Sequence, residues 1–365
     1  MKKIIILFFL FSFLCPFVAS ANHQEDQVLL VVKSSSHSLF QTTLQVSSDK
    51  VAQALLHAQL VGPTLDVPMT TSYVLLKDKG IVRIFAMDSN AELYDVKEKQ
   101  RVVVPSAIRD KLMSYFEEIQ DHHFGKLYSW KEVDQLIPRY TSFMITDLES
   151  GLNFEAQRRA GSSHADVQPL TEKDTKIMKE IYDGKWSWKR RAILIHHNDE
   201  KIAASMHGMP HGGGALANGF PGHFCIHFKD SVTHASKSLD LAHQIMVYKA
   251  GGLLTSFVQQ LSPKEIIELF FIALNQQDLD LLNLIYHDKN GESIDLINEV
   301  ESIRVVHKKN RPSIEGPYLY EIPLTFLITK KGEREVGAFY TFRVKRESPT
   351  SNWKLEQVPV DILIK

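Results

Sequence analysis

Apolar positions along the chain follow three successive patterns. Between residues 22 and 139 strand-like runs predominate, and Asp78-Lys79-Gly80 joins two of them as a hairpin signal. Residues 140–252 are mostly strand-like, with a helix that begins at a Thr171/Asp174 capping pattern. From residue 260 a capping box opens helices that precede four strand-like runs. The pattern predicts an α+β multidomain protein with a mostly-β, catalytic-type central domain (140–252), a small α+β N-terminal domain (22–139) and a C-terminal domain of helices and antiparallel sheet (260–365).

The first 21 residues form a separate, strongly apolar segment. Lys2 and Lys3 precede an apolar run over residues 4–18, and Ala19-Ser20-Ala21 supplies the small residues of a cleavage site. The run is shorter than the roughly 20 residues that a membrane-spanning helix needs. We therefore expect a secretory signal peptide over residues 1–21, a secreted or cell-wall-associated protein, and no stable membrane span after cleavage.

Cysteine content and charge narrow the functions further. The chain has two cysteines, and Cys15 lies in the predicted signal peptide. The mature chain would keep only Cys225, which excludes an intramolecular disulfide and leaves either an inert buried thiol or a reactive one. A formal net charge of −1, without a long Lys/Arg run, argues against a nucleic-acid partner.

Cys225 lies in a strand-like run that alternates polar and apolar residues. Alternate side chains of an extended chain share a face, so His223, Cys225 and His227 fall on one side while phenylalanine and isoleucine face a core. Histidines beside a thiol offer a base or a cation that favours the thiolate. His207 ends the preceding predicted strand, and a glycine-rich loop connects the two strands. Two neighbouring strands joined in this way would bring imidazole and sulfur together.

This spacing resembles the signature of the L,D-transpeptidase (YkuD-like) family. In that signature a histidine precedes a Ser/Thr-His-Gly-Cys element that is followed by an apolar residue, and the chain matches it at His207, His223, Cys225 and Ile226. The chain departs from the family at three positions: Gly222, Phe224 and His227. The resemblance covers residues 140–252, and residues 260–365 resemble the NTF2-like cone fold.

The family resemblance implies a cysteine acyltransferase or peptidase that acts on peptidoglycan stem peptides without a cofactor. Cys225 would be the nucleophile and His207 the base, while His223 would orient or polarise the site. Backbone N–H groups near His223 and Phe224 would stabilise the oxyanion. The other substrate-binding candidates are Gly222, Phe224, His211, His227, Arg158 and Arg159. The two arginines could clamp a stem-peptide carboxylate or lie in a solvated turn.

Two other classes of function stay open. The segment from Ala203 to Lys229 offers up to five ligands of the types that zinc accepts. This predicts a zinc-binding cell-wall hydrolase as the alternative. These ligands are His207, His211, His223, Cys225 and His227. His164-x-Asp166 could also hold a metal, although a loop is the simpler explanation. The third class is a non-catalytic module that binds the cell wall.

Overall fold

The structure, a computed structural model, describes residues 27–63, 67–233, 237–288, 291–306 and 313–364. The predicted signal peptide and Cys15 lie outside these residues. The chain is mixed α/β, with 28% helix and 36% strand, several sheets and a six-stranded barrel. It divides into two compact units, one of residues 27–123 with 148–151 and one of residues 124–147 with 152–364.

The described part of the first unit combines a seven-stranded antiparallel sheet with two helices. Its elements are β1 (Gln27–Lys33), β2 (Gln41–Val46), α1 (Asp49–Leu56), β3 (Gln59–Pro63), β4 (Ser72–Asp78), β5 (Ile81–Met87), β6 (Leu93–Asp95), β7 (Gln100–Val103) and α2 (Ser106–His123). The strand order is β2-β1-β4-β5-β6-β7-β3.

Local signals account for most of these elements. The predicted hairpin is confirmed: Asp78 pairs with Ile81, and Lys79 and Gly80 take the positive φ values of 45° and 86° that a tight two-residue turn requires. Helix α1 ends at Leu56. Residues 59–63 then form β3, whose backbone groups pair with β7.

The second unit begins with a closed antiparallel barrel. Its elements are α3 (Trp130–Leu136), β8 (Ser142–Asp147), β9 (Asn153–Ala160), β10 (Ala165–Pro169), α4 (Glu172–Ile181), β11 (Arg190–His197), β12 (Glu200–His207), β13 (Phe224–His227), α5 (Leu241–Ala250) and α6 (Leu254–Gln259). The strands close in the order β10-β13-β12-β11-β8-β9. The predicted start of α4 is confirmed, since Thr171 and Asp174 form a reciprocal capping box.

One hydrophobic cluster fills the barrel. Each strand contributes alternate residues to it, as a half-buried strand should. Its members include Ile145, Phe154, Val167, Ile193, Met206, Phe224 and Ile226. The cluster fixes which face of each strand points inward, and therefore which side chains are left to form a site on the other face.

Helices and an antiparallel sheet complete the second unit. The elements are α7 (Pro263–Gln276), α8 (Leu279–Ile285), α9 (Glu292–Glu299), β14 (Val300–Val305), β15 (Ile314–Glu315), β16 (Leu319–Lys330), β17 (Val336–Lys345), β18 (Lys354–Leu355) and α10 (Val360–Leu363). The predicted capping box at Ser262 is present, and the sheet runs β14-β16-β17-β18 with β15 beside β16. Helices packed on this sheet agree with the predicted pattern, whereas the NTF2-like relationship stays a prediction.

Polar contacts join this C-terminal segment to the barrel. The backbone N–H of Arg190 donates to Gln276 Oε1 at 2.9 Å, and Lys249 Nζ donates to Asp278 Oδ2 at 2.7 Å. The barrel and the C-terminal segment thus belong to one compact unit. Among the described residues, the structure contains no helix of the length and apolarity needed to cross a membrane.

Candidate functional site

Three neighbouring barrel strands, β10, β13 and β12, carry the candidate site. Antiparallel pairing sets Asp166 opposite Cys225 across β10 and β13, and Ser205 opposite His227 across β12 and β13. Asp166 Oδ1 lies 3.9 Å from Cys225 Sγ. A carboxylate from 59 positions earlier in the chain is thereby brought against the thiol.

Side chains of β13 alternate between the barrel core and a second buried layer. Phe224 and Ile226 are fully buried in the core, as the alternation predicted. On the opposite face, Cys225 is only 5% exposed and His227 only 3%. Helix α5 covers this face, because His243 stacks on His227 with ring centroids 3.9 Å apart.

The glycine-rich loop folds His211 back over β13. His211 and His223 exchange two backbone hydrogen bonds of 3.0 and 2.9 Å, which form an isolated antiparallel bridge. Gly222 makes this bridge feasible: its φ is +126°, and a Cβ at this position would lie 2.5 Å from the carbonyl oxygen of His211. Gly212 faces the same constraint, with 2.4 Å from a Cβ to the His223 ring. These glycines therefore position the two imidazoles.

His211, rather than His207, is the histidine in contact with the thiol. His211 Nε2 lies 3.3 Å from Cys225 Sγ, and His211 Nδ1 lies 3.2 Å from the carbonyl oxygen of Met209. Because a carbonyl only accepts hydrogen bonds, Nδ1 carries the proton and Nε2 presents a lone pair to the sulfur. His207, the predicted base, stays close: one of its ring nitrogens lies within 4.8 Å of both Sγ and a ring nitrogen of His211.

Two further histidines donate Nδ1–H to backbone carbonyls, as His211 does. His164 Nδ1 lies 2.9 Å from Val232 O, and His223 Nδ1 lies 3.0 Å from Gly213 O. Their Nε2 atoms face Asp166 Oδ1 at 3.4 and 3.8 Å. The Nε2 atoms of three imidazoles therefore converge on the small volume that contains Asp166 and the thiol.

The remaining histidines form a layer behind the thiol. His227 is stacked between His164 and His243, with centroid separations of 4.5 and 3.9 Å, and Ser205 Oγ lies 2.8 Å from His243 Nδ1. This stacking explains the burial of His227, which sequence analysis had placed among the substrate-binding residues. The half-exposed Trp188 ring lies 4.7 Å from the His207 ring and 5.6 Å from the His211 ring, so it forms the outer wall of the site.

Burial sets the protonation of the central groups. It raises the pKa of the Cys225 thiol well above the usual value, and the Asp166 carboxylate adds to the rise. Burial also lowers the pKa of His207 to about 2 and lowers the pKa of His211 and of His243. At neutral pH the site therefore contains a protonated thiol beside neutral imidazoles.

The two predicted carboxylate-clamping arginines have other partners. Arg158 is 1% exposed, and its guanidinium donates to Ile137 O at 2.7 Å and to Gly161 O at 3.0 Å. Its role is structural, because those donors satisfy buried carbonyls. Arg159 is half-buried, and its guanidinium lies over the Tyr140 ring at 5.0 Å.

Two predicted substrate contacts on β13 also need correction. The Phe224 side chain packs in the barrel core, 5.8 Å from the Phe220 ring centroid, and cannot contact a substrate at the thiol. The backbone N–H of His223 donates to His211 O at 2.9 Å, so it is not an oxyanion donor in this conformation. Gly222 acts through its backbone conformation.

The structure brings to the site two residues that the sequence did not predict there, His243 and Trp188. Asp166 was named only in the His164-x-Asp166 pair as a possible metal ligand, and the structure brings both residues to the thiol. No local signal pointed to His243, because its position depends on how α5 packs across the barrel.

No protein-family model, curated protein or solved structure matches this chain. The likeness to L,D-transpeptidases therefore rests on the spacing of histidine and cysteine. Fold and site together define a protein with a six-stranded antiparallel barrel and a buried cysteine–histidine centre.

Proposed function

We propose that the second unit is a cysteine acyltransferase or peptidase in which Cys225 is the nucleophile and His211 the general base. The observation that carries the proposal is the 3.3 Å separation of Cys225 Sγ and His211 Nε2, together with the Met209 carbonyl that fixes the basic tautomer. A nucleophile, a base and a group that orients the base are the three parts that covalent catalysis requires.

The reaction would begin from a neutral pair. As Sγ attacks an amide carbonyl carbon, His211 Nε2 takes the thiol proton, and collapse of the tetrahedral adduct returns that proton to the departing amine. The product is a thioester on Cys225. A second amine would convert the thioester to a new amide, and water would convert it to a free carboxylate.

The substrate class follows from sequence rather than from geometry. The resemblance at His207, His223 and Cys225 and the predicted signal peptide favour amide bonds of peptidoglycan stem peptides outside the cytoplasm. In the site, Trp188 offers an apolar wall on the exposed side of His211. His223, half-buried, adds a polar group beside Asp166, and its ring centroid lies 4.4 Å from that of His211.

The test is acyl transfer on purified muropeptides, read by mass spectrometry, with the protein kept metal-free by a chelator. We expect loss of a terminal residue or a new crosslink, abolished in Cys225→Ala and reduced at least about 100-fold in His211→Gln, the range expected for loss of a general base. His122→Gln is the matched control, because His122 is an exposed histidine of α2.

The base assignment has its own test in the same assay. If His207→Gln removed activity while His211→Gln retained it, the base would be His207, as the family spacing implies. If Cys225→Ala retained full activity, nucleophilic catalysis by this thiol would be refuted.

A further inference from the structure

The thiol lies at the centre of two overlapping sets of metal-binding side chains. One set combines His207, His211 and Cys225, and the other combines His164, Asp166 and Cys225. Within each set every ligand atom lies within 4.8 Å of the others. Imidazole nitrogen, thiolate sulfur and carboxylate oxygen are the donors that Zn²⁺ takes in proteins.

The hydrogen bonds behind these side chains are those that metal-binding histidines use. A histidine that ligates through one nitrogen usually donates its other N–H to a carbonyl or carboxylate, which orients the ring. His211, His164 and His223 each do so through Nδ1, to Met209, Val232 and Gly213. Three Nε2 atoms are thereby directed to one place, although a single catalytic base would require only one.

His207 gives an independent indication. It is 4% exposed, and its Nδ1 has no hydrogen-bond partner among the described residues. A buried polar atom without a hydrogen-bond partner destabilises the folded protein, and native proteins seldom keep one without a reason. A cation bound through Nδ1, beside Cys225 and His211, would give this atom a partner.

The distances suit a small tetrahedral ion. Zinc bonds of about 2.0–2.3 Å place neighbouring ligand atoms roughly 3.3–3.8 Å apart. Cys225 Sγ and His211 Nε2 are already 3.3 Å apart. The third ligand atom, on His207, lies within 4.8 Å and needs to approach by about 1 Å, a change that rotation of a side chain supplies.

We propose that Cys225 Sγ, His211 Nε2 and a ring nitrogen of His207 bind one Zn²⁺, and that the bound ion blocks acyl transfer at the thiol. Zinc would displace the thiol proton to solvent, one proton for each ion, and form a zinc–thiolate bond. The sulfur electron pair and the His211 lone pair would then both be engaged. Inhibition rests on the proposed function, whereas binding does not.

Binding is tested with Co²⁺ as a spectroscopic probe and with Zn²⁺ in competition against a chromogenic chelator. The full chain, stripped with a chelator, should take up one Co²⁺ with an intense thiolate-to-metal charge-transfer band, and Zn²⁺ should displace it. Cys225→Ser should lose the band, and His207→Gln should weaken binding at least about tenfold, while His122→Gln should match the wild type. Circular dichroism of each variant would exclude misfolding as the cause.

Three outcomes would overturn the inference: binding well below one equivalent, an unchanged band in Cys225→Ser, or wild-type affinity in both His207→Gln and His211→Gln. The muropeptide assay separates the two proposals. One equivalent of Zn²⁺ should lower activity at least about tenfold. Binding without any activity in the metal-free protein would refute the acyltransferase and leave the metal site standing. Activity that one equivalent of Zn²⁺ does not lower would refute inhibition and leave the acyltransferase standing. Activity that appears only with zinc would refute inhibition and favour a zinc hydrolase.

Discussion

Substitution of Gly222 by alanine tests whether backbone conformation organises the site. At φ +126° a residue with a Cβ is strained by about 1–3 kcal/mol. The added Cβ would also lie 2.5 Å from the carbonyl oxygen of His211 and 2.9 Å from that of Gly212, so backbone must move, at a further cost of about 1–3 kcal/mol. We expect Gly222→Ala to lower the free energy of unfolding by about 2–6 kcal/mol, a large part of a typical domain's stability.

Tryptophan fluorescence during urea unfolding is the appropriate assay. All four tryptophans lie in the second unit, so the signal reports on that unit. Gly213→Ala is the matched control: Gly213 is exposed in the same loop, and a Cβ there meets no atom within 4 Å. The control should change stability by less than about 0.5 kcal/mol. Equal stability of the two variants would refute the claim that Gly222 holds His211 over the thiol.

Three further predictions concern burial and charge. Phe224→Ala should cost about 3–5 kcal/mol in the same unfolding assay, because it removes a fully buried ring from the barrel core; a cost below about 1 kcal/mol would contradict that placement. Arg158→Met should cost about 3–5 kcal/mol by leaving buried carbonyls unpaired, whereas Arg159→Met, at a half-buried site, should cost less than about 1 kcal/mol; equal costs would refute the structural role. Because the pKa of the Cys225 thiol is raised, alkylation of the metal-free protein by iodoacetamide should increase about tenfold per pH unit up to pH 9 without levelling off. A plateau in the wild-type rate that begins near pH 6 would instead show that a thiolate already exists. Asp166→Asn should increase the alkylation rate at pH 7, since it removes a negative charge that opposes formation of the thiolate.

Local rules predicted those parts of the fold that depend on a few neighbouring residues. The capping boxes at Thr171 and Ser262 fix the starts of α4 and α7, and Asp78-Lys79-Gly80 fixes a hairpin, because each feature is complete within a few residues. Closure of the barrel could not be predicted in this way. It requires β10 to pair with β13 across more than 50 positions, and the sequence of either strand does not specify its partner.

The candidate site was likewise predictable only where a few neighbouring residues determine it. Alternation along β13 correctly separated Cys225 and His227 from Phe224, because a strand has only two faces. The choice between His207 and His211 could not be made from spacing. The choice depends on how the loop turns back at Gly222. The glycines of the loop indicate that it turns, but they do not indicate which histidine comes to lie against the thiol.

Burial acts on both members of the Cys225–His211 pair in the same direction. It raises the pKa of the thiol and lowers the pKa of the imidazole, so the neutral pair is favoured over a thiolate–imidazolium ion pair. The proton must therefore leave as the sulfur gains a new bond. With a carbonyl carbon as the electrophile, His211 takes that proton, and with a metal cation the proton goes to solvent while His211 ligates the ion. Both reactions use the same Nε2 lone pair, which the Met209 carbonyl directs toward the sulfur. A carbonyl substrate and a metal cation would therefore exclude each other from the same sulfur and nitrogen atoms.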